Sequence, residues 1–364
     1  MTYSMKKLMV WMLFATALFS CSKQEQMIRV EVDEAMHTPL TKKLSDVVKS
    51  LEYVALETDS NCLVGNAFDI ALFEKDIAVI GRGKILLFDR TSGKFKKEVL
   101  HRGRDPQGYS STMAGYGMCA IEKTGDIFIK EWNKKISTYN VYTQERKGFS
   151  LMGNIKSVAY TSNESFVTTA FNFDGQHPIK MWRYDNYQYV DSIPNKWTFN
   201  LKSDAMAVIK SDEIFYRWNN RTFFKDATND TVFAVTDVLT PVYIFQSANL
   251  PKITLREHPE NMAQKMKDMY CIHSLMEDGR HIYYTMGYQD KTYRLVYDKA
   301  SGKGGILKDG FENDIDQGIN LFPDHITDRG EYVFVLNPAF MSEEELDECN
   351  LKEDDNPMIV IGRP

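Results

Sequence analysis

The chain has 364 residues, 43% hydrophobic and 26% charged, with 44 Lys and Arg against 50 Asp and Glu and a formal net charge of −6. That composition supplies a full core and excludes disorder over most of the length, and the acidic balance argues against nucleic acid as a partner, because phosphate binding needs a concentrated basic face. One folded domain is expected in spite of the length, since repeat folds grow by adding units.

The N-terminus reads as an address. Lys6 and Lys7 precede an apolar run over residues 8–19, with Ser20 and Cys21 behind it. This is the layout of a secretory signal, and the run falls short of the roughly 20 apolar residues that a spanning helix needs. A signal peptide is expected over residues 1–20. The sequence LFSC at 18–21 resembles a bacterial lipobox, which implies a mature chain that begins at Cys21 and carries acyl groups on its sulfur as a membrane anchor; an ordinary secretory signal cut nearby is the alternative. Residues 21–50 are expected to form a polar tether followed by a lead-in, in which residues 28–32 alternate like a strand.

Residues 51–364 are expected to form one all-β domain, a six-bladed β-propeller of four-stranded antiparallel blades with two short helical insertions. Residues 51–56 (LEYVAL) alternate and are the candidate strand that closes the ring, since a borrowed terminal strand removes the open sheet edge. Blade one runs over FDIALF, IAVIG, ILLFD and KFKKEV, between residues 68 and 99. Blade two shows the repeat most fully, in HRGRDPQGYSSTMAGYGMCAIEKTGDIFIKEWNKKISTYNVY at 101–142: strands over 117–121, 127–130 and 136–142 are separated by hairpin turns, and a fourth starts at residue 147. Ile77 precedes Ile127 by 50 residues, which sets the period. Blade three is expected over 158–161, 165–170, 181–184 and 189–193. Blade four is assembled from AVIK, EIFYRW and NDTVFAV, blade five from CIHSLMED, HIYYTMG and TYRLVYD. Blade six takes 320–322, EYVFVL and PMIVI. Helical insertions are expected at 255–270, where Met262, Met266 and Met269 have helical spacing, and at 342–351, which opens on an N-cap serine and acidic residues.

Cys62, Cys119, Cys271 and Cys349 form no C-x-x-C pair, so a thiolate zinc site has no support. Cys119 and Cys271 lie in apolar runs and read as buried thiols. Cys62 and Cys349 lie in polar stretches where a periplasmic disulfide is conceivable, and sequence leaves their pairing open.

The GRDPQGY loop at 103–109, the Gly-Asp turn and the strand ending in Tyr resemble the repeat of NHL-type propellers. With NDTVF at 229–233, ENDIDQG at 312–318 and EDDNPMIVI at 353–361, the chain resembles the six-bladed β-propeller lipoproteins of Bacteroides-type bacteria. The resemblance spans about residues 51–361 and implies the fold and an envelope location, most simply lipid-anchored at the outer membrane, with neither face specified. It brings no catalytic residue set. Gln317 stands where that family often has glycine.

No nucleophile elbow, H-E-x-x-H or P-loop occurs. No cofactor or metal is expected: the DIDQG run at 314–318 has only a faint likeness to a calcium loop. The candidate ligand contacts are Arg102, Arg104 and Tyr109 in the crossover loop, expected near one mouth of the central channel, together with Asp314 and Asp316. The competing account of that loop is that Gly103, Pro106 and Gly108 merely shape it. Asp324 beside His325 reads as an acid–base pair or a surface turn, and Trp132, Trp182, Trp197 and Trp218 as filling between blades. The functional expectation is a monomeric, membrane-anchored, non-enzymatic propeller that binds a protein partner or a glycan. The alternatives are a propeller hydrolase or lyase with its site at the channel mouth, and a purely structural envelope component.

Overall fold

A computed structural model of the chain describes residues 27–65, 68–81, 83–109, 118–131, 135–162, 164–172, 175–198, 213–226, 229–250 and 269–364. The candidate anchor Cys21, the strand AVIK, Trp132 and nearly all of the first expected helical insertion lie outside these residues.

The lead-in is built into the body. Strand β1 (Ile28–Glu31) and helix α1 (Val32–His37) are followed by β2 (Ser50–Ala55). Blade one comprises β3 (Phe68–Leu72), β4 (Asp76–Gly81), β5 (Lys84–Asp89), β6 (Phe95–Arg102) and a short β7 (Gly108–Tyr109). Blade two comprises β8 (Met118–Ile121), β9 (Asp126–Lys130), β10 (Lys135–Asn140) and β11 (Arg146–Ser150). Blade three holds β12 (Ile155–Tyr160), β13 (Phe166–Ala170), β14 (Ile179–Asp185) and β15 (Gln188–Pro194), and blade four β16 (Glu213–Trp218), β17 (Arg221–Asp226), β18 (Thr231–Val235) and β19 (Leu239–Gln246). Blade five holds β20 (Cys271–Glu277), β21 (His281–Tyr288), β22 (Lys291–Asp298) and β23 (Lys303–Ile306). Blade six holds β24 (His325–Ile326), β25 (Tyr332–Leu336) and β26 (Met358–Arg363), with β2 as its fourth strand. Helix α2 (Glu343–Cys349) sits between β25 and β26, with Ser342 and Glu345 forming a reciprocal capping box. The result is a six-bladed β-propeller of antiparallel four- to five-stranded sheets.

Alternation explains how the blades stack. In β9, Ile127 and Ile129 pack toward blade one, while Phe128 between them packs toward blade three. In β4, Ala78 and Ile80 face blade two, and Ile77 and Val79 face blade six. Both faces of each sheet are therefore buried, and the middle strands read as continuous apolar runs. The buried side chains divide into six clusters, each bridging two successive blades, and the cluster of Val54, Val333 and Ile361 with Leu72 and Phe88 joins the last blade to the first. Buried carboxylates add polar ties. Glu277 of blade five, fully buried, accepts from Tyr216 Oη at 3.1 Å and from Tyr243 Oη of blade four, and pairs with Lys299.

Three expectations change. In blade four, EIFYRW is the innermost described strand, RTFFKD is the second strand and residues 239–246 the outer one. The hairpin joining the first two turns on Asn219 and Asn220, both at positive φ (50° and 58°), a conformation that Asn tolerates better than most residues. In blade six the inner strand is β24, while Leu321 only bridges Phe311. Blade five, expected from three strands, gains β23 as its outer fourth. The lead-in also covers blade edges: β1 adds in parallel to β19, and Leu40 N–H donates to Ile306 O at 2.8 Å beside β23.

Candidate ligand-binding channel

Each blade repeats the same order from axis to rim, so β3, β8, β12, β16, β20 and β24 run in one sense around the axis. They enclose a cavity of 710 Å³ to which every blade contributes, through residues such as Ile70, Ala120, Ala159, Phe215, Leu275 and Ile326.

The end at which the inner strands finish carries a polar network. Tyr160 Oη donates to Asp328 Oδ2, and Arg217 Nε donates to Asp328 Oδ1 at 3.1 Å. Arg217 Nη1 donates to the carbonyls of Tyr160 and Thr161 at 3.2 and 3.3 Å and to Thr222 Oγ1 at 2.7 Å. The guanidinium lies 4.2 Å from the centre of the Tyr160 ring. Glu122 follows β8 directly: its Oε1 accepts the Leu72 N–H at 3.0 Å and lies 3.2 Å from His325 Nε2, and its Oε2 accepts the Asp328 N–H at 3.4 Å. Burial disfavours a charged His325, yet the carboxylates of Glu122, Asp328 and Asp69 outweigh it and raise its pKa. Burial and Asp328 push the Tyr160 hydroxyl well above its usual range, so it remains a donor. Cys119 on the same wall is pushed up to about 12 by burial and stays a thiol.

The other end is less committed. Asp69 on β3, His273 on β20 and Asp324 just before β24 face the cavity. Each is open to the cavity's water while lying deep in the protein, which is why desolvation governs its titration. Burial raises Asp69, lowers His273 and raises Asp324 to about 6. Asp324 Oδ2 accepts the Val335 N–H at 2.7 Å. Among the described residues neither Asp69 nor Asp324 has an ion-pair partner. Glu213 differs, for it pairs with Lys180 at 3.6 Å and accepts from Thr169 Oγ1. Phe340, 75% exposed, stands on the lining at this end beside Asn337.

None of Arg102, Arg104, Tyr109, Asp314 or Asp316 lines this cavity. Arg102 ends β6 at the rim of blade one, and the loop after it turns back: β7 pairs in parallel with β6, His101 opposite Gly108 and Arg102 opposite Tyr109. This corrects the expected placement of the two arginines at a channel mouth. The physical reason is local. Asp105 accepts the Gln107 N–H at 2.9 Å and faces His101 Nε2 at 2.8 Å, and Arg146 of blade two donates to the Pro106 and Gly108 carbonyls, both at 2.8 Å. Tyr109 is 1% exposed in the core between blades one and two, so it offers no stacking face. Asp314 accepts from Ser45 N and Oγ at 3.0 and 2.7 Å, and Asp316 accepts from Asn313 Nδ2 and Gly318 N at 2.7 and 3.1 Å; both brace the lead-in and their own turn. Gln317 takes the left-handed φ of 63° that glycine adopts more easily. No group of three or more His, Cys, Asp or Glu among the described residues is arranged to hold a metal ion.

Sequence reasoning paired His325 with Asp324, whereas its hydrogen-bond partner is Glu122. It missed Asp69, Glu122, Tyr160, Arg217, His273 and Asp328. The available signal was position, since all six lie on an inner strand or within two residues of its end.

The family described as a domain of unknown function, DUF4934, matches residues 27–363. No curated protein sequence matches the chain. Among solved structures, a Bacteroides fragilis protein described as a putative exported protein aligns with a TM-score of 0.65 at 13% identity, covering 92% of this chain and 99% of that one, which shows a shared fold. BamB from Moraxella catarrhalis aligns with a TM-score of 0.41 at 8% identity, covering 77% of this chain and 75% of that one.

Proposed function

The chain belongs to the DUF4934 family, and from that premise we propose that it is an exported, lipid-anchored propeller that binds a small hydroxyl-rich ligand, a glycan, in its central channel. The observation that carries this reading is the 710 Å³ cavity lined by all six inner strands, with Asp69, His273 and Asp324 facing it. Its size falls within the roughly 300–1,000 Å³ of small-molecule sites, and its concavity suits a glycan better than a folded partner. Carboxylates accept pairs of sugar hydroxyls, and Phe340 offers a flat face at the end where those acids lie. Glu122, Asp328 and Arg217 are engaged with one another, which leaves them to hold the walls. Export is supported by the N-terminal basic and apolar runs and by the name of the Bacteroides relative, and anchoring by Cys21 behind the apolar run.

The test is thermal unfolding of the soluble mature domain with a panel of neutral oligosaccharides, because a ligand at 100 times its Kd stabilises by about 2.7 kcal/mol. A shift abolished in the Asp69→Asn/Asp324→Asn pair is expected. A folded protein that no oligosaccharide stabilises would sink the reading.

A second reading is favoured by the displaced acids. Asp69, Asp324 and His325 have pKa values moved in the direction that general acid–base work exploits. On that reading the channel cleaves the glycan, and a bound oligosaccharide recovered unchanged after prolonged incubation excludes it.

A further inference from the structure

A second concavity lies at the rim of blade five, where the lead-in crosses it. Residues 36–42 form one wall, and the start of β22 with the segment 306–312 form the others, enclosing 970 Å³. The walls are fixed by backbone pairing: Ile306 N–H donates to Thr38 O at 2.8 Å, Leu40 N–H to Ile306 O at 2.8 Å and Glu312 N–H to Lys42 O at 2.9 Å. The groove therefore exists before any ligand arrives.

Its chemistry is two-sided. Met36, Leu40, Tyr293 and Ile306 are only partly buried and give it an apolar wall. Lys42, Lys291, Arg294 and Lys308 stand around that wall. Against them are only Asp309 and Glu312, in a chain whose net charge is −6. None of the four cations has a side-chain hydrogen bond or ion pair among the described residues. Arg294 also stands near enough to Asp324 to favour its carboxylate, so the groove keeps a net positive excess carried mainly by the three lysines, and such an excess attracts anions over about a Debye length, roughly 8–10 Å at physiological salt.

We propose that this groove binds an anionic amphiphile, a phosphate-bearing headgroup held by Lys42, Lys291, Arg294 and Lys308 with an acyl portion against Met36, Leu40, Tyr293 and Ile306. The site is separate from the channel, and the inference does not rest on the glycan reading. Such a ligand has two sources, a lipid held as a single molecule and a headgroup in a bilayer, and one experiment separates them.

The mature domain is titrated with monomeric dihexanoyl-phosphatidylglycerol, with glycerol phosphate, and with phosphatidylcholine vesicles with and without phosphatidylglycerol. Binding of the monomeric lipid at least tenfold tighter than glycerol phosphate, weakened at least tenfold in Lys291→Glu/Lys308→Glu at an unchanged melting temperature, is expected for a held lipid. Binding only to the vesicles that contain phosphatidylglycerol, with the same loss in the variant, supports the bilayer as the source. Equal binding of glycerol phosphate, equal binding by the variant, or no binding to any probe overturns the proposal. A pair of Lys291→Gln and Lys308→Gln single variants, each expected to lose part of the affinity, guards against a fold defect in the charge reversal.

Discussion

Leu51 lies opposite Gly362 in an antiparallel pairing that runs from Ser50 on Arg363 to Ala55 on Met358, so the two ends of the chain share blade six. Asn356 locks the junction: its Nδ2 donates to the carbonyls of Glu57 and Cys62 at 2.6 and 2.9 Å, and its Oδ1 accepts the Val64 N–H at 2.8 Å. Ending the chain at Asn356 removes β26, a central strand, and is expected to abolish the cooperative transition. Asn356→Ala, which removes the partner of one buried backbone group, the Cys62 carbonyl, and of two partly buried ones, is expected to lower stability by about 1–3 kcal/mol in urea. A truncated chain unfolding at the full-length midpoint would show that closure lies elsewhere.

The rim loop of blade one should respond to its glycines rather than its arginines. A Cβ on Gly108 would sit 2.4 Å from the Gly103 carbonyl carbon, among backbone atoms that have no room to move. Arg102 and Arg104 are exposed. Gly108→Ala is expected to cost about 2 kcal/mol or more, and Arg102→Ala and Arg104→Ala less than about 0.5 kcal/mol each. Equal effects of the two kinds of substitution would assign the arginines a structural role.

Arg217 and Asp328 join blades four and six across the channel, with side chains only 14% and 19% exposed. Removing either leaves the other without its partner in a largely desolvated site. Asp328→Ala is expected to cost about 2–3 kcal/mol, and the double variant with Arg217→Ala to fall short of additivity by about 1 kcal/mol. Strict additivity of the unfolding free energies would show that the pair is not coupled.

Asp324 predicts a pH dependence. Its folded pKa is raised to about 6 by burial, so as pH rises from its ordinary 3.8 the unfolded chain ionises first and stability is lost, until the folded carboxyl also ionises. Channel water moderates the effect. Asp324→Asn is therefore expected to match the wild type near pH 4 and to melt about 1–2 °C higher at pH 7. A melting difference that does not change between those pH values contradicts the assignment.

The anchor has a direct test. Cys21→Ser is expected to leave the chain unacylated and released from membranes, and mass analysis of the wild-type N-terminal peptide is expected to show acyl groups on Cys21. Variant protein that still sediments with membranes, or an unmodified wild-type peptide, removes the anchor from the account.

Blades one, two and three were legible because their signals are local. Alternation of period 2, as at Ile127, Phe128 and Ile129, settles which face each residue takes, and a turn such as Gly93, at φ 67° with the Ala55 carbonyl against it, settles where a strand stops. The closing strand, expected at 51–56 from its alternation and from the need to close the sheet edge, is found at Ser50–Ala55. Blade four was misassembled because the Asn219–Asn220 hairpin signal was passed over. The channel could not be read in this way. Glu122 meets His325 across 203 residues of sequence and Tyr160 meets Asp328 across 168, and no spacing rule connects such positions. Their meeting follows from ring closure, which brings the inner strand of every blade to one axis; only there do desolvation and neighbouring carboxylates set which acids stay paired and which face the cavity.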